Sequence, residues 1–191
     1  MLAKRAAPQR AHGVANRVRI IGGQYRRRLL DFPDADGLRP TPDRVRETLF
    51  NWLGQDLPGW TCLDLFAGSG ALGFEAASRG AARVVMIERD AKAIRALEHN
   101  RATLAASQLD ILRVDALAWL ANNREVFDLV FVDPPFDSGL AARVLPDLAI
   151  HLKSGGHAYV EQGTEVIAPP GLIIQRSGRA GRSHFALLFK E

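Results

Sequence analysis

From Gly59 to the C-terminus, short apolar runs alternate with segments of helical periodicity. The apolar runs have the length of strands and are rich in Val, Ile, Leu and Phe, which is typical of strands covered on both faces. Strands that alternate with helices predict a parallel sheet with right-handed crossovers. The predicted strands are residues 61–67, 83–88, 110–114, 127–133 and 158–162, and the predicted helices are residues 71–79, 91–106 and 140–152, with a short turn at 116–122.

The last segment, GLIIQRSGRAGRSHFALLFK, breaks the alternation. It consists of an apolar run, a glycine-rich turn and a second apolar run, with no helix between them. Two strands joined by a short turn form a hairpin, so one of them must run antiparallel to the rest of the sheet. The sequence therefore predicts an α/β fold with a mostly parallel sheet and a C-terminal antiparallel hairpin.

Two further elements precede the predicted sheet. RVRIIGGQYRRRLL places Gly22 and Gly23 between two short β-like runs, which predicts a small basic hairpin. In LRPTPDRVRETLFNWL, Thr41 is a plausible N-cap and Pro42 suits the first helical position. The apolar residues of that helix fall on one face. We expect a basic, disordered arm over residues 1–18, a hairpin and helix extension over 19–58, and the main domain over 59–191.

The charge of the chain is unevenly distributed. Residues 1–30 carry eight basic residues and no acidic one, whereas the remaining residues carry 17 basic and 21 acidic ones. Such a block is typical either of a solvated tail or of contact with a polyanion, most often nucleic acid. If it contacts RNA, the arginines that we expect to do so are Arg17, Arg19, Arg26, Arg27 and Arg28.

Membrane, secreted and multi-cysteine classes are disfavoured. No apolar run approaches the roughly 18 residues that a membrane span needs, and no apolar stretch follows Lys4 and Arg5 as in a secretory signal. Cys62 is the single cysteine, which excludes an internal disulfide and a multi-cysteine zinc site. We predict no metal site, and a cytoplasmic location, because a lone cysteine fits a reducing compartment.

LDLFAGSGALGFEA follows the first predicted strand and begins a helix. Gly68, Gly70 and Gly73 satisfy the pattern G-x-G-x-x-G, which lets a backbone approach a bound nucleotide closely. The pattern is weak by itself, because tight turns use glycine for steric reasons. Its place at the carboxyl end of a strand strengthens it, since open α/β sheets bind ligands there. Glu88 ends the next strand, where a carboxylate can accept from both ribose hydroxyls.

The glycine loop alone does not choose between a dinucleotide and S-adenosylmethionine (SAM), but two acidic residues favour SAM. Asp64 lies four residues before Gly68, inside a predicted strand. A buried carboxylate needs a partner, and the methionyl ammonium of SAM is a suitable one. Asp115 ends the third strand, where it can accept from the adenine amino group. Either carboxylate could instead cap a loop.

VFVDPPFDSG ends the fourth predicted strand at the same edge. As a turn, Asp-Pro-Pro is ordinary. As chemistry, the Asp133 carboxylate and the Pro134 carbonyl form two neighbouring acceptors on a backbone stiffened by Pro134 and Pro135. An exocyclic base amine has two N–H donors, and pairing both would direct its nitrogen at a methyl donor. Phe136 can stack on the base.

These motifs resemble a known family. DLFAGSG followed by DPPF resembles the signature of SAM-dependent amino-methyltransferases. RIIGGQYRRRLL and GLRPTPDRVRETLFNWL narrow the resemblance to the RsmD family, bacterial 16S rRNA guanine-N2 methyltransferases, from about Arg19 to the C-terminus. The resemblance implies a Rossmann-like class I fold with a seven-stranded sheet. It implies SAM as cofactor and, as substrate, one guanine of 16S rRNA in an assembling or assembled small ribosomal subunit.

The resemblance also assigns residues. It implies that Arg39, Pro40 and Thr41 close over the methionyl end of SAM. It implies further SAM contacts at Asp64, Phe66, Gly68, Gly70, Glu88 and Asp115, and a guanine pocket made of Asp133, Pro134, Pro135 and Phe136. We expect a monomer, with adjacent ribosomal proteins as further partners and no membrane.

Three other functions compete with this one. An adenine-N6 methyltransferase acting on DNA or RNA would use the same Asp-Pro-Pro-aromatic motif, but the chain has little room for the extra segment that reads base edges in DNA. A nucleotide-dependent oxidoreductase would explain the glycine loop but not DPPF or the basic arm. A non-catalytic RNA-binding module would not need the catalytic and cofactor motifs, which are both intact.

Overall fold

The computed structural model of the chain describes residues 16–34, 40–135 and 138–191. In these segments the strands are β1 (Asn16–Arg19), β2 (Leu29–Phe32), β3 (Thr61–Asp64), β4 (Arg83–Glu88), β5 (Leu109–Arg113), β6 (Phe127–Val132), β7 (Leu152–Gln162), β8 (Ile173–Ala180) and β9 (Ser183–Phe189). The helices are α1 (Asp43–Trp52), α2 (Ala71–Ser78), α3 (Ala91–Leu104), α4 (Ala116–Asn122) and α5 (Leu140–Val144), and a 3-10 helix (Leu145–His151) follows α5. None of these helices is long and apolar enough to cross a membrane.

Strands β3 to β9 form one seven-stranded sheet in the order β5-β4-β3-β6-β7-β9-β8. The neighbours from β5 to β7 pair in parallel, and β9 runs antiparallel to both β7 and β8. The predicted parallel sheet with a C-terminal antiparallel hairpin is therefore confirmed. The chain winds outward from β3 in one direction and then from β6 in the other, so the gap between their carboxyl ends is the switch point at which open α/β sheets bind ligands.

Apolar side chains fill both faces of the sheet. On one face, residues such as Cys62 and Phe131 pack with α1, α2 and α3. On the other face, Leu63, Val85 and Val130 pack with α4, α5 and the 3-10 helix. All five side chains are fully buried, and each large one contributes about 1.5–3 kcal/mol to folding through the area that it removes from water. This two-sided burial explains why the strands have no alternating polar pattern.

Several element boundaries differ from the prediction. β3 ends at Asp64, so this residue lies at the end of the strand and not inside it. The segment 116–122 is a true α-helix, because Asp115 caps it. The predicted helix 140–152 divides at the 3-10 helix that contains Pro146, whose missing N–H interrupts the α-helical bonding. β7 begins six residues before the prediction, with a bulge opposite β6.

The N-terminal hairpin is confirmed, but its boundary is not. β1 and β2 pair antiparallel from Asn16 onward, so residues 16–18, which the sequence assigned to the arm, belong to the hairpin. The expected disorder of residues 1–15 concerns a segment outside the described residues. The connection between β1 and β2 folds onto the end of α2, where Ser78 bonds the amides of Gln24 and Tyr25.

A buried ion cluster joins this hairpin to α1 and α2. Glu75 accepts from Arg46 at 3.2 Å and from Arg79 at 2.8 Å, and the side chains of Arg46 and Glu75 are fully buried. The backbone amides of Ile21 and Gly22 also donate to the two oxygens of Glu75 at 2.8 Å. Each buried charge is therefore paired and hydrogen-bonded, which is the condition for keeping it inside a protein.

Candidate active site

A cavity of about 960 Å³ opens at the carboxyl ends of the parallel strands, between β3 and β6 and the loops that follow them. Its size lies at the upper end of the usual range for small-molecule pockets, roughly 300–1,000 Å³. Ten of the residues predicted to contact cofactor or base line it: Pro40, Thr41, Asp64, Phe66, Gly68, Glu88, Asp115, Asp133, Pro134 and Pro135. The structure thus brings together side chains that are up to 95 positions apart in the sequence.

The three glycines of the loop have different roles. Gly68 has a φ of 51° and lines the cavity. Gly70 has a φ of 82°, and a Cβ there would meet Leu97 at 2.6 Å and Phe74 at 2.7 Å. A Cβ on Gly70 would therefore point into the core, and Gly70 is not among the residues that line the cavity, so its predicted cofactor contact stays a prediction. A Cβ on Gly73 would lie 2.8 Å from Met86, so its role is close packing of α2 on the sheet.

Asp64 lies at the floor of the cavity. Its side chain is buried and accepts from the Gly73 amide at 3.0 Å, which fastens α2 to the end of β3. Burial raises the pKa of Asp64 to about 7, and the amides of Gly73 and Phe66 only partly oppose this effect. The hydrogen bond from Gly73 uses only one oxygen of the carboxylate, so the other oxygen can still accept from a ligand. A cationic ligand group beside it would restore the ionised form.

Glu88 and Asp115 both hold backbone amides. One oxygen of Glu88 accepts from Gly68 at 2.9 Å, and the other accepts from the amides of Arg89 and Asp90 at 2.8 Å. One oxygen of Asp115 accepts from the amides of Leu117 and Ala118, as the N-cap of α4. Because both side chains also line the cavity, each can accept from a ligand with its remaining lone pairs.

Asp133 follows β6 and lies opposite the segment before α1. The Thr41 hydroxyl donates to the Asp133 carboxylate at 2.7 Å. The prediction that Thr41 caps α1 is wrong, because Pro42 occupies the N-cap position and no side chain caps the helix. Burial and the nearby Glu161 carboxylate raise the pKa of Asp133 well above its ordinary value, while the Thr41 hydroxyl opposes them.

Glu161 is a cavity residue that sequence reasoning missed. It follows Val160, which pairs with Val132, so Glu161, near the end of β7, lies beside Asp133, which directly follows β6. The Tyr159 hydroxyl donates to one oxygen of Glu161 and the Ser183 hydroxyl to the other, both at 2.6 Å. A signal was present, because Glu161 follows an apolar run just as Asp133 does.

The arginines predicted to bind RNA lie outside the cavity. Arg17 and Arg19 are exposed and form surface ion pairs with Asp31 and Asp43. Such pairs are worth about 0–1 kcal/mol, so they do not prevent a phosphate contact. Arg26, Arg27 and Arg28 are exposed on the connection that packs on the end of α2. The cavity is at the other end of this helix, roughly 12 Å away for eight residues.

Arg39 and Phe136 lie outside the described residues, so their predicted roles remain predictions. The neighbouring positions are informative, since Pro40 and Pro135 both line the cavity. Residues on either side of the undescribed positions thus lie at the cavity, Pro40 before α1 and Pro135 after β6.

The lining groups fit S-adenosylmethionine. The buried Asp64 carboxylate suits its ammonium group, and Glu88 and Asp115, at the ends of the next two strands, suit its ribose and its adenine amine. Gly68 allows close approach of the backbone between them. This strand order, with a glycine loop after its first parallel strand, defines a class I methyltransferase fold. SMU.776, a protein solved with SAH, shares that fold with a TM-score of 0.68 and 14% identity, over 84% of this chain and 53% of that one.

Comparison with known proteins identifies the family. The family model described as conserved hypothetical protein 95 matches residues 18–189. The ribosomal RNA small subunit methyltransferase D of Escherichia coli (strain K12) is 42% identical over 185 residues, which cover 94% of this chain and 93% of that protein. The solved yhhF structure from Escherichia coli has a TM-score of 0.83 and 42% identity, over 92% of this chain and 99% of that one. The chain belongs to this family, the RsmD family of methyltransferases.

Proposed function

We propose that this protein transfers the methyl group of S-adenosylmethionine to the exocyclic N2 amine of one guanine in 16S rRNA of the small ribosomal subunit. The observation that carries the proposal is the arrangement of Asp133 and Pro134 in the same cavity as Asp64, Gly68 and Glu88. Acceptors for an amine thus share one space with the acceptors for the cofactor. The name of the Escherichia coli relative, a ribosomal RNA small subunit methyltransferase, supports the choice of RNA.

The residues of the chain position the cofactor. When bound, S-adenosylmethionine supplies an electrophilic methyl group on a positively charged sulfur. Asp64 would accept from its ammonium and Glu88 from its ribose hydroxyls, while Asp115 would accept from its adenine amine. Thr41 links the two halves of the site, because it lines the cavity and donates to Asp133. These fixed partners hold the donor in line with the amine, which converts a bimolecular encounter into an oriented one.

Asp133 and the Pro134 carbonyl accept the two N–H donors of the amine. The amine nitrogen would take up the methyl group that S-adenosylmethionine supplies, and one proton of the nitrogen would then pass to water. Positive charge develops on the nitrogen during this step, and the Asp133 carboxylate stabilises it. The stiff Pro134–Pro135 backbone keeps both acceptors in place. A guanine in folded RNA must be splayed out of its stack to enter this cavity.

The direct test is to map methylated nucleotides in 16S rRNA from cells with and without the gene. We expect one N2-methylguanosine to disappear in cells without the gene. Purified protein and S-adenosylmethionine should restore it in small-subunit particles from those cells, whereas the Asp133→Ala variant should restore little. Appearance of N6-methyladenosine, or no methylation of any particle or free rRNA, would refute the proposal.

A further inference from the structure

Asp-Pro-Pro motifs accept an amine but do not identify the base that carries it. Guanine, adenine and cytosine each have an exocyclic amine with two N–H donors. They differ at the adjacent ring nitrogen, because guanine carries an N1–H donor there whereas adenine N1 and cytosine N3 are acceptors. A site that selects guanine therefore needs a third acceptor beside the two that hold the amine.

We propose that Glu161 is this third acceptor and selects guanine by accepting a hydrogen bond from its N1–H. The inference rests on the proposed function. Glu161 lines the same cavity as Asp133 and Pro134, and it lies near the end of β7, beside the point where Asp133 follows β6. Its carboxylate, the Asp133 carboxylate and the Pro134 carbonyl present three acceptors to the three donors on the edge of guanine.

The surroundings of Glu161 hold an acceptor in place. Its side chain is buried, so a fixed geometry is maintained without competition from bulk water. The Tyr159 and Ser183 hydroxyls donate to opposite oxygens, which orients the carboxylate and leaves further lone pairs for a ligand. Burial and the neighbouring carboxylates raise the pKa of Tyr159 well above its ordinary value, so its phenol remains a donor.

The same arrangement rejects the wrong bases. Adenine or cytosine in this position would direct a ring-nitrogen lone pair at the Glu161 carboxylate, and both acceptors would remain unpaired in a buried site. Sites built to bond an N–H group reject analogues without it by large factors, because the buried partner is left unsatisfied. Asp133 can bind the exocyclic amine of any of these bases, whereas Glu161 makes the site selective for guanine.

The test uses small-subunit particles reconstituted with 16S rRNA that carries either guanine or 2,6-diaminopurine at the mapped target position. Diaminopurine keeps the 2-amino group, but its N1 is an acceptor. We expect the wild-type protein to methylate guanine roughly a hundredfold or more faster in single turnover. In Glu161→Gln the amide can donate to N1 of diaminopurine, so we expect the preference for guanine to fall by about tenfold or more.

Three variants accompany this measurement. Glu161→Asp withdraws the carboxylate by one methylene and should also weaken the preference for guanine over diaminopurine. The test therefore remains possible if Glu161→Gln does not fold. Asp133→Asn should slow both bases by a similar factor and leave their ratio unchanged. Glu165→Gln, an exposed position outside the cavity lining, should change neither rate.

The two proposals fail differently. If the wild-type protein methylates guanine and the Glu161 variants keep the wild-type preference, Glu161 does not read N1–H and only this inference is wrong. An equal loss of rate on both bases in Glu161→Gln would likewise mean that its role is structural. If the wild-type protein leaves guanine unmethylated, or methylates an adenine amine, the proposed function fails and this inference fails with it.

Discussion

At the scale of single residues, the carboxylates at the strand ends have different environments. Asp64 is buried and Asp133 is half-buried, each has few hydrogen-bond donors, and the pKa of each is raised. Glu88 and Asp115 each accept from two or three backbone amides, which also position the loops around the cavity. The first two are therefore the groups whose charge a ligand changes most.

We expect cofactor binding to depend on pH, because the proposed partner of the cofactor ammonium is Asp64. In the free protein this carboxyl is largely protonated below pH 7, since burial raises its pKa to about 7. The cofactor ammonium pairs with the ionised form, so binding at lower pH must expel a proton. We expect the affinity for S-adenosylmethionine to fall toward about tenfold per pH unit below 7 and to level off above it.

Calorimetry between about pH 6 and 8, in buffers of different ionisation enthalpy, measures both the affinity and the proton released. Asp64→Asn should bind more weakly and lose the pH dependence. Asp56→Asn, at an exposed position outside the cavity lining, should retain the wild-type profile. A flat profile in the wild-type protein would contradict the assignment of Asp64 to the ammonium.

Asp133 should behave as a positioned acceptor. The amide oxygen of asparagine also accepts a hydrogen bond, whereas alanine offers no acceptor. The amine lone pair of a nucleobase is delocalised, so orientation matters more than deprotonation before attack. We expect kcat to decrease from wild type to Asp133→Asn and again to Asp133→Ala, with a loss on the order of a hundredfold or more for alanine.

Single-turnover methyl transfer to small-subunit particles measures this series, and binding of S-adenosylmethionine should stay near the wild-type value in both variants. If asparagine and alanine were equally inactive while both variants still bound cofactor and RNA, Asp133 would be a general base and the acceptor account would be wrong.

At the scale of elements, the buried Glu75 cluster attaches the N-terminal hairpin to the methyltransferase fold. In Glu75→Gln, Arg46 and Arg79 lose their buried partner, and removal of one partner of a buried pair typically costs about 3–5 kcal/mol. We expect the free energy of unfolding, measured by urea denaturation, to fall by this amount. Glu47→Gln, at an exposed position on α1, should change it by less than about 0.5 kcal/mol. A loss under about 1 kcal/mol for Glu75→Gln would mean that the cluster is not the attachment.

At the scale of the whole molecule, the positive charge is concentrated at one end. We expect residues 1–15 to bind phosphates without touching the cofactor, because they hold three basic residues and no acidic one. Deleting them should weaken RNA binding and reduce the slope of log affinity against log salt by about 2, the value for three phosphate contacts to single strands. Affinity for S-adenosylmethionine should not change.

RNA-binding titrations over a range of salt concentrations test this expectation. An unchanged slope of log affinity against log salt would show that residues 1–15 do not bind phosphates. The structure shows where the deletion must end. β1 begins at Asn16, so a deletion of residues 1–18 would also destroy the hairpin and confuse two effects. The shorter deletion leaves the hairpin intact, with its five arginines.

The sequence by itself determined the order of elements and the edge of the sheet that carries the site. Apolar runs, helical periodicity and glycine turns are local signals, and they predicted the parallel strands, the C-terminal hairpin and four of the acidic residues that line the cavity. Parallel strands have their carboxyl ends at the same edge of the sheet, so the sequence placed Asp64, Glu88, Asp115 and Asp133 together at that edge. Arg46 and Glu75 gave no such signal, since charged residues on helices are usually solvated.

Only the tertiary structure decided which of these residues meet. The local sequence predicts that Thr41 caps a helix, yet its hydroxyl donates a hydrogen bond to Asp133, 92 positions away. Gly70 matches a nucleotide-loop pattern, yet it faces Leu97. Glu161 joins Asp133 because β7 pairs with β6, and Ser183 reaches Glu161 because β9 pairs with β7. Such contacts depend on strand pairing and packing across the whole chain, and the spacing of residues within one segment carries no information about them.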